Sequence, residues 1–272
     1  MRARKRFGQH FLHDPTVIER IFAAIDLAPG DAAVEIGPGR GALTAGLLQA
    51  AGRLDAIEID RDLAAALRLR FAAAESLVVH TADALQFDWR ALAALRGARL
   101  RLVGNLPYNV STPLLFRLLQ AADAITDMHF MLQKEVVDRI VAAPGTAAYG
   151  RLTVMLAPRV ASVRVLDVGA GAFRPAPKVA SSLVRLHIIE PPWPIAPLYA
   201  PVVAAAFSQR RKTLRNALRG YLSAEQIGAL GLDPGIRAEQ LPAREFARLA
   251  EAAAQRPAAP LAQAPGACFT KA

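Results

Sequence analysis

An α/β fold on a doubly wound parallel sheet, followed by a small all-α domain, is the architecture this 272-residue sequence predicts, from three observations. Short apolar runs alternate with helical periods between Val34 and Leu132, the pattern of a parallel sheet with crossover helices. The first apolar run stops at glycines, VEIGPGRG from Val34 to Gly41, and hands over to a helix. At Glu190 the composition shifts to PPWPIAPLYAP, and the chain beyond it reads as helix.

In chain order, Asp14 and Pro15 read as an N-cap and first helical residue, with Val17, Ile18, Ile21, Phe22 and Ile25 as the buried stripe. After the glycine turn a helix runs over Leu43 to Ala51. The next strand ends in IEID with Glu58 and Asp60, and a helix comes next near Asp62 to Ala73. LVVH ends near Asp83, and LRLVG runs into NLPY, Asn105 to Tyr108. A helix at Thr112 to Ala121, a strand at Met128 to Leu132, a helix at Lys134 to Val141 and a closing strand at Ser181 to Ile189 complete this part. The expected organisation is a sheet domain over 1–190, a helical domain over 191–256 and a disordered tail over 257–272.

Polar residues thus end four successive strands, and in an open α/β sheet the strand carboxyl ends line one crevice. Gly37, Gly39 and Gly41 let the backbone approach a ligand closely. Gly37, Gly39 and Ala42 also nearly satisfy a dinucleotide fingerprint, so a nicotinamide enzyme and an ordinary turn both remain open at this point. Glu58, about 20 residues on at the next strand end, suits a ribose diol. NLPY separates the readings. A side-chain amide acceptor, a carbonyl ahead of a proline and an aromatic ring form a clamp for a planar amino group, which hydride transfer does not need.

In the helical part, one helix is expected over Val202 to Arg219, with Val203, Phe207, Leu214 and Leu218 on its apolar face. Lys212, Arg215 and Arg219 form a basic stripe beside that face, and Arg210 and Arg211 flank it. Five basic residues with no acidic one between Arg210 and Arg219 fit a phosphate-binding face better than a merely solvated one. Ser223 and Gln226 predict a capping box, and a last helix runs over Arg244 to Ala254 around Phe246 and Leu249.

Bulk properties bound the function. At 53% hydrophobic residues the chain can bury a full core. Lys and Arg number 33 against 23 Asp and Glu, for a net charge of +10 and a pI near 10.6, which favours a polyanionic partner. Arg2, Arg4, Lys5 and Arg6 form a basic arm that reads equally as a phosphate contact or a frayed terminus. The single cysteine, Cys268, rules out a disulfide framework or a cysteine metal cluster, and a reducing compartment, the cytoplasm, is expected. MRARKRF leads into Gly8, Gln9 and His10 rather than an apolar core, so it is not the pattern of a secretory signal. Pro191 to Gln209 is uncharged, but its five prolines speak against a membrane-spanning helix.

The order of these motifs resembles that of S-adenosylmethionine-dependent amino methyltransferases with a Rossmann-like sheet. More narrowly, FGQHFL (Phe7 to Leu12), VEIGPG, IEID, NLPYN, HFMLQKEV (His129 to Val136) and FRPAPKV (Phe173 to Val179) resemble the KsgA/RsmA family of ribosomal RNA adenine dimethyltransferases, over about residues 4 to 220. The resemblance implies a seven-stranded sheet and S-adenosylmethionine as cofactor, with contacts from His10, Leu12, Gly37, Gly39, Glu58, Asp83 and Asn105. Many family members carry Asn where His10 stands, so a backbone contact is expected there. Asp83 is assigned to the cofactor's adenine amino group and Glu58 to its ribose; helix capping ahead of Ala84 is the other reading of Asp83.

At the target end the resemblance implies Asn105, Leu106, Pro107 and Tyr108, with Phe173 set against the target base; a loop anchor in a core pocket is the other reading of Phe173. The lone tail cysteine argues against methylation at a ring carbon, which needs a thiolate in the pocket; amine methylation needs none. Leu106 departs from the proline of many other amino methyltransferases, which fits the dimethylating group. The implied substrate is a pair of neighbouring adenosines in a loop near the 3′ end of small-subunit rRNA, within an immature small subunit. No metal and no membrane are implied, and a monomer is expected. Two other readings stand beside it: the related large-subunit rRNA adenine dimethyltransferases, against which RRKTLRN and HFMLQKEV speak, and a non-catalytic ribosome assembly factor.

Overall fold

The computed structural model describes residues 10–108, 110–209 and 211–255. The basic arm, Phe7 to Gln9, Arg210 and the tail with Cys268 lie outside the described residues. The chain divides into two compact units, Met1–Ala143 with Leu156–Trp193, and Pro144–Met155 with Pro194–Ala272.

In chain order the first unit contains β1 (Phe11–Leu12), α1 (Pro15–Ile25), β2 (Ala32–Ile36), α2 (Thr44–Ala51), β3 (Leu54–Glu58), α3 (Arg61–Arg70), β4 (Leu77–Thr81), α4 (Trp89–Arg96), β5 (Leu100–Asn105), α5 (Ser111–Leu119), β6 (Ile125–Gln133) and α6 (Lys134–Ile140). After α7 (Arg151–Leu156) come β7 (Val160–Val168), β8 (Phe173–Arg174) and β9 (Ser181–Ile188). The main sheet has seven strands in the order β4-β3-β2-β5-β6-β9-β7. Its central strands are covered on both faces: every residue of β3 is buried, as are four of the five in β2, the acidic Glu35, Asp55 and Glu58 among them. The first helix starts where the sequence places it, with Asp14 Oδ1 accepting from the Thr16 and Val17 amides at 2.9 and 3.2 Å.

Two features differ from the sequence expectation. The sheet is mixed: β2 to β6 pair in parallel, but β9 runs antiparallel to both β6 and β7. The chain from β7 to β9 carries one short 3-10 turn and β8 but no crossover helix, so it returns as an antiparallel neighbour. The sequence reading also has no strand at Val160–Val168. As an edge strand, β7 carries Arg164 and Asp167 and a register shift, which blur its apolar alternation.

The second unit contains α7 for most of its length, α8 (Tyr199–Phe207), α9 (Leu214–Ala217), α10 (Ala224–Ala229) and α11 (Ala243–Ala254). The sequence reading puts Pro144–Met155 in the 1–190 domain, but it belongs to this unit, tied through the Tyr149 side chain and the Val154 carbonyl. The Tyr149 hydroxyl donates to the Leu241 carbonyl at 2.8 Å, the Tyr199 hydroxyl to the Val154 carbonyl at 2.7 Å, and Phe207 stacks on Phe246. The expected single helix over Val202 to Arg219 is broken. Thr213 is extended (φ −70°, ψ 159°) and forms a β-bridge with Arg237, and the Leu214 amide donates to the Ile236 carbonyl at 2.7 Å. Leu214 and Leu218 are nevertheless buried. The capping box at Ser223 and Gln226 is present with both hydrogen bonds, 2.8 and 3.2 Å. Among the described residues no helix is long and apolar enough to cross a membrane.

Candidate active site

A pocket lies at the carboxyl edge of the parallel strands, where β2, β3, β4 and β5 end at Ile36, Glu58, Thr81 and Asn105. Its lining brings together the glycine turn, Glu58, Asp83, Asn105 to Tyr108, and His10 to Leu12. The glycine turn, Glu58, Asp83 and Asn105 to Tyr108 converge because each follows a parallel strand, whereas His10 to Leu12 belong to the segment that pairs through β1 with β8.

The turn is shaped by glycines at positive φ, +69° at Gly37 and +56° at Gly39. A Cβ at Gly39 would stand 3.1 Å from the Phe11 ring, so the turn and the chain segment above it require glycine there. Arg40 places its guanidinium 4.5 Å from the centre of the same ring. Glu58 is 5% exposed. Its two oxygens accept from the Gly39 amide at 3.1 Å and the Asp60 amide at 2.9 Å, each retaining lone pairs for a ligand. Burial raises its pKa, and the two amides act against that shift.

Glu35 lines the same pocket, and sequence reasoning missed it. It is buried, accepts from the Thr44 hydroxyl at 2.6 Å, and is pushed up to about 7 by burial, with the negative Glu58 adding to the shift. Asp83 lines the pocket while its Oδ1 accepts from the Leu85 amide at 2.9 Å; it caps no helix, because Ala84 opens only a turn and the next helix, α4, is capped by Asp88, and its second oxygen is not engaged in that turn.

At the other side, the Asn105 amide nitrogen donates to the His10 carbonyl at 2.8 Å, leaving the side-chain oxygen as acceptor. The Leu106 amide donates to the Met131 carbonyl at 3.2 Å and fixes the Asn105–Leu106 peptide, one residue ahead of Pro107. Tyr108 is half-buried. Its hydroxyl bonds to Ser181 Oγ at 2.8 Å, and His10 stacks on its ring with centroids 5.6 Å apart and planes 27° off parallel. His10 Nδ1 is 2.7 Å from the Pro175 carbonyl. Gly104, also missed, is needed for space: a Cβ there would lie 2.6 Å from the Ile36 carbonyl oxygen.

One expected residue is not brought here. Phe173 is 2% exposed, belongs to the core cluster with Leu12, Leu43 and Val168, and does not line the pocket. It pairs with Leu12 across the two-stranded ladder of β1 and β8, so its apolar ring is taken up in holding the segment that carries His10. The basic residues of the second unit also differ from a helical stripe: Lys212 lies in the turn before Thr213, Arg215 in α9 and Arg219 beyond it. Arg211, Lys212, Arg215 and Arg219 are exposed, and their side chains have no ion pair or hydrogen bond among the described residues. Among the described residues no group of three or more His, Cys, Asp or Glu is placed to hold a metal.

Chemically, the arrangement offers buried carboxylates and a close-approach turn beside an amide acceptor and an aromatic face. Residues 1–255 match the family model described as ribosomal RNA adenine dimethylase. The chain is 54% identical over 248 residues to ribosomal RNA small subunit methyltransferase A of Methylococcus capsulatus, covering 90% of this chain and 96% of that protein. It is 56% identical over 250 residues to the protein of the same name from Laribacter hongkongensis, covering 90% and 94%. Among solved structures it is similar to a dimethyladenosine transferase from Plasmodium falciparum (TM-score 0.77, 24% identity, covering 88% and 96%). It is also similar to the 23S rRNA methyltransferase ErmE (TM-score 0.72, 26% identity, covering 90% and 100%).

Proposed function

The chain belongs to the ribosomal RNA adenine dimethylase family, and on that premise we propose that it transfers methyl groups from S-adenosylmethionine to the exocyclic N6 amines of two adjacent adenosines near the 3′ end of 16S rRNA. The product is N6,N6-dimethyladenosine, made during late small-subunit assembly in the cytoplasm. The observation that carries this reading is the junction in one pocket of the glycine turn and Glu58 with Asn105 to Tyr108.

The residues present fit the cofactor. Gly37 and Gly39 hold the turn at positive φ, where no side chain is favoured, and Glu58 keeps acceptor capacity at the pocket wall for a ribose diol. Asp83 serves the adenine amino group, and Leu12 and the backbone at His10 cover it. The cofactor supplies an electrophilic methyl on a sulfonium sulfur.

The chain's own contribution is position. The adenine N6 is a poor nucleophile because its lone pair is delocalised into the ring. Asn105 Oδ1 and the Leu106 carbonyl accept its hydrogens and turn that lone pair towards the electrophile, and both bonds strengthen as the nitrogen becomes positive. The alkylated nitrogen is acidic enough to lose its proton to water, so no general base is required. Pro107 holds the Leu106 peptide and Tyr108 offers a ring face to a base that must be unpaired or flipped. Arg211, Lys212, Arg215 and Arg219 form the phosphate-binding face of a helical RNA-binding domain, and the first unit is the catalytic domain.

Relatives at 54% and 56% identity carry small-subunit names, whereas the 23S enzyme is 26% identical, which favours the small-subunit reading. Acting as a monomer, the protein meets its substrate as an immature subunit, and a checking role in assembly is compatible with catalysis. Tritiated methyl transfer from S-adenosylmethionine to undermethylated small subunits, followed by nucleoside analysis, tests the proposal. Dimethyladenosine in 16S rRNA is expected; label in 23S rRNA alone, or none, would overturn it.

A further inference from the structure

The loop from Arg174 to Ala180 is anchored at both ends to the two sides of the pocket. At its start, Arg174 pairs with Phe11 across β1 and β8, and the Pro175 carbonyl is bonded to His10 Nδ1. At its end, the Lys134 amide donates to the Ala180 carbonyl at 2.9 Å, and Ser181 holds the Tyr108 hydroxyl at 2.8 Å. The loop therefore spans from the segment that covers the cofactor side to the ring assigned to the target base. Pro175 and Pro177 restrict it between these anchors.

Charge on this loop is one-signed. Arg174 and Lys178 are exposed, and their side chains have no ion pair or hydrogen bond among the described residues. No Asp or Glu occurs between Val168 and Ile189. Several other basic residues of the same unit are engaged: Arg101 with Asp127 and Asp31, Arg96 with Asp55, Arg164 with Asp138, and Arg185 with Asp127. Two unneutralised cations on a stiff loop beside an aromatic base platform are the arrangement that a single-stranded nucleic acid requires, with backbone charge met alongside a stacked base.

We propose that Arg174 and Lys178 form a second phosphate clamp, which holds the RNA backbone flanking the target adenosine and is separate from the basic face of the helical unit. The inference rests on the RNA-methylating role proposed above. It gives the FRPAPKV segment a task other than base stacking, for which Phe173 is not available.

The test uses full-length protein and undermethylated small subunits. Affinity is measured across a salt series for wild type, for Arg174→Ala/Lys178→Ala and for Arg174→Lys/Lys178→Arg, alongside S-adenosylmethionine affinity by calorimetry. For the alanine pair, loss of two contacts to single-stranded phosphates should flatten the slope of log K against log salt by about 1.4, with cofactor affinity unchanged and the slope kept by the charge-conserving pair. An unaltered slope would overturn the clamp, and so would a loss of cofactor affinity in the alanine pair, which would mark the loop as part of the pocket's scaffold. A wild-type enzyme that binds subunits with the full slope yet yields no dimethyladenosine would instead defeat the catalytic reading and leave the clamp standing.

Discussion

The Asn105 side-chain nitrogen donates to the His10 backbone carbonyl, 2.8 Å away and 95 residues distant in sequence. One hydrogen bond thus joins the end of β5 to the segment lying over the glycine turn. It also decides which way the amide points. With the nitrogen engaged, the oxygen is left to accept, which is the polarity an incoming amine requires. Because His10 contributes a backbone group to this bond, the bond does not depend on which side chain stands there.

Glu58 offers the most direct test of the cofactor end. Replacing it by alanine removes a charge-assisted acceptor and should weaken S-adenosylmethionine binding by about 1.5 to 3 kcal/mol. The same change frees the Gly39 and Asp60 amides, so Glu58→Gln, which keeps an acceptor oxygen, should lose less. Calorimetry on the free enzyme reads both, and a folded Glu58→Ala protein with wild-type affinity would remove Glu58 from the site.

For the second unit, alanine at Arg211, Lys212 and Arg215 together should lower affinity for small subunits and reduce the salt slope by about one unit per lost phosphate contact. The turn at Thr213 leaves all three exposed and unpaired among the described residues. S-adenosylmethionine affinity should not move. An unchanged slope would mean that these side chains only solvate the surface.

Two buried groups predict opposite pH responses. His129 is wholly buried on β6, both ring nitrogens lack a hydrogen-bond partner, and burial holds its pKa down to about 4. The unfolded chain takes up this proton near pH 6.5 and the folded one only near 4, so stability falls as pH drops through that window, by about 2 kcal/mol between pH 7 and pH 5. Glu35 is raised to about 7, so its contribution is fully present below pH 4.5 and is lost as pH rises through 7, a change of about 3 kcal/mol. Denaturant unfolding across pH should show His129→Leu losing the acid-side decline and Glu35→Gln losing the alkaline-side one. Variants whose pH curves run parallel to wild type would show that neither group titrates as its burial requires.

Much of the cofactor side was legible because its signals are local. Glycines at a strand end, a carboxylate at the next one and the N-cap at Asp14 each lie within a few residues of the structure they determine. Residues whose roles depend on distant partners were not legible. Phe173 reads as either a base platform or a core anchor until its pairing with Leu12 is seen, and nothing near Tyr108 in sequence announces Ser181. The break at Thr213 escaped for the same reason, since the bridge to Arg237 is what competes with the helix. Glu35 lay in plain view within VEIGPG, and its meaning comes only from burial beside Glu58.

The central claim, that Asn105 and Tyr108 position an amine for transfer, is tested most directly by single-turnover methyl transfer at saturating RNA and cofactor. Asn105→Ala should slow this step by about 10²-fold or more, because its acceptor gains value as positive charge develops, while RNA affinity, set by phosphates, stays near wild type. Tyr108 acts through its ring, so Tyr108→Phe, which gives up only the bond to Ser181, should keep most activity, and Tyr108→Ala should lose about 1 to 3 kcal/mol of base stacking. An Asn105→Ala enzyme at the wild-type rate, or a Tyr108→Phe enzyme as slow as Tyr108→Ala, would contradict the assignment of this pocket.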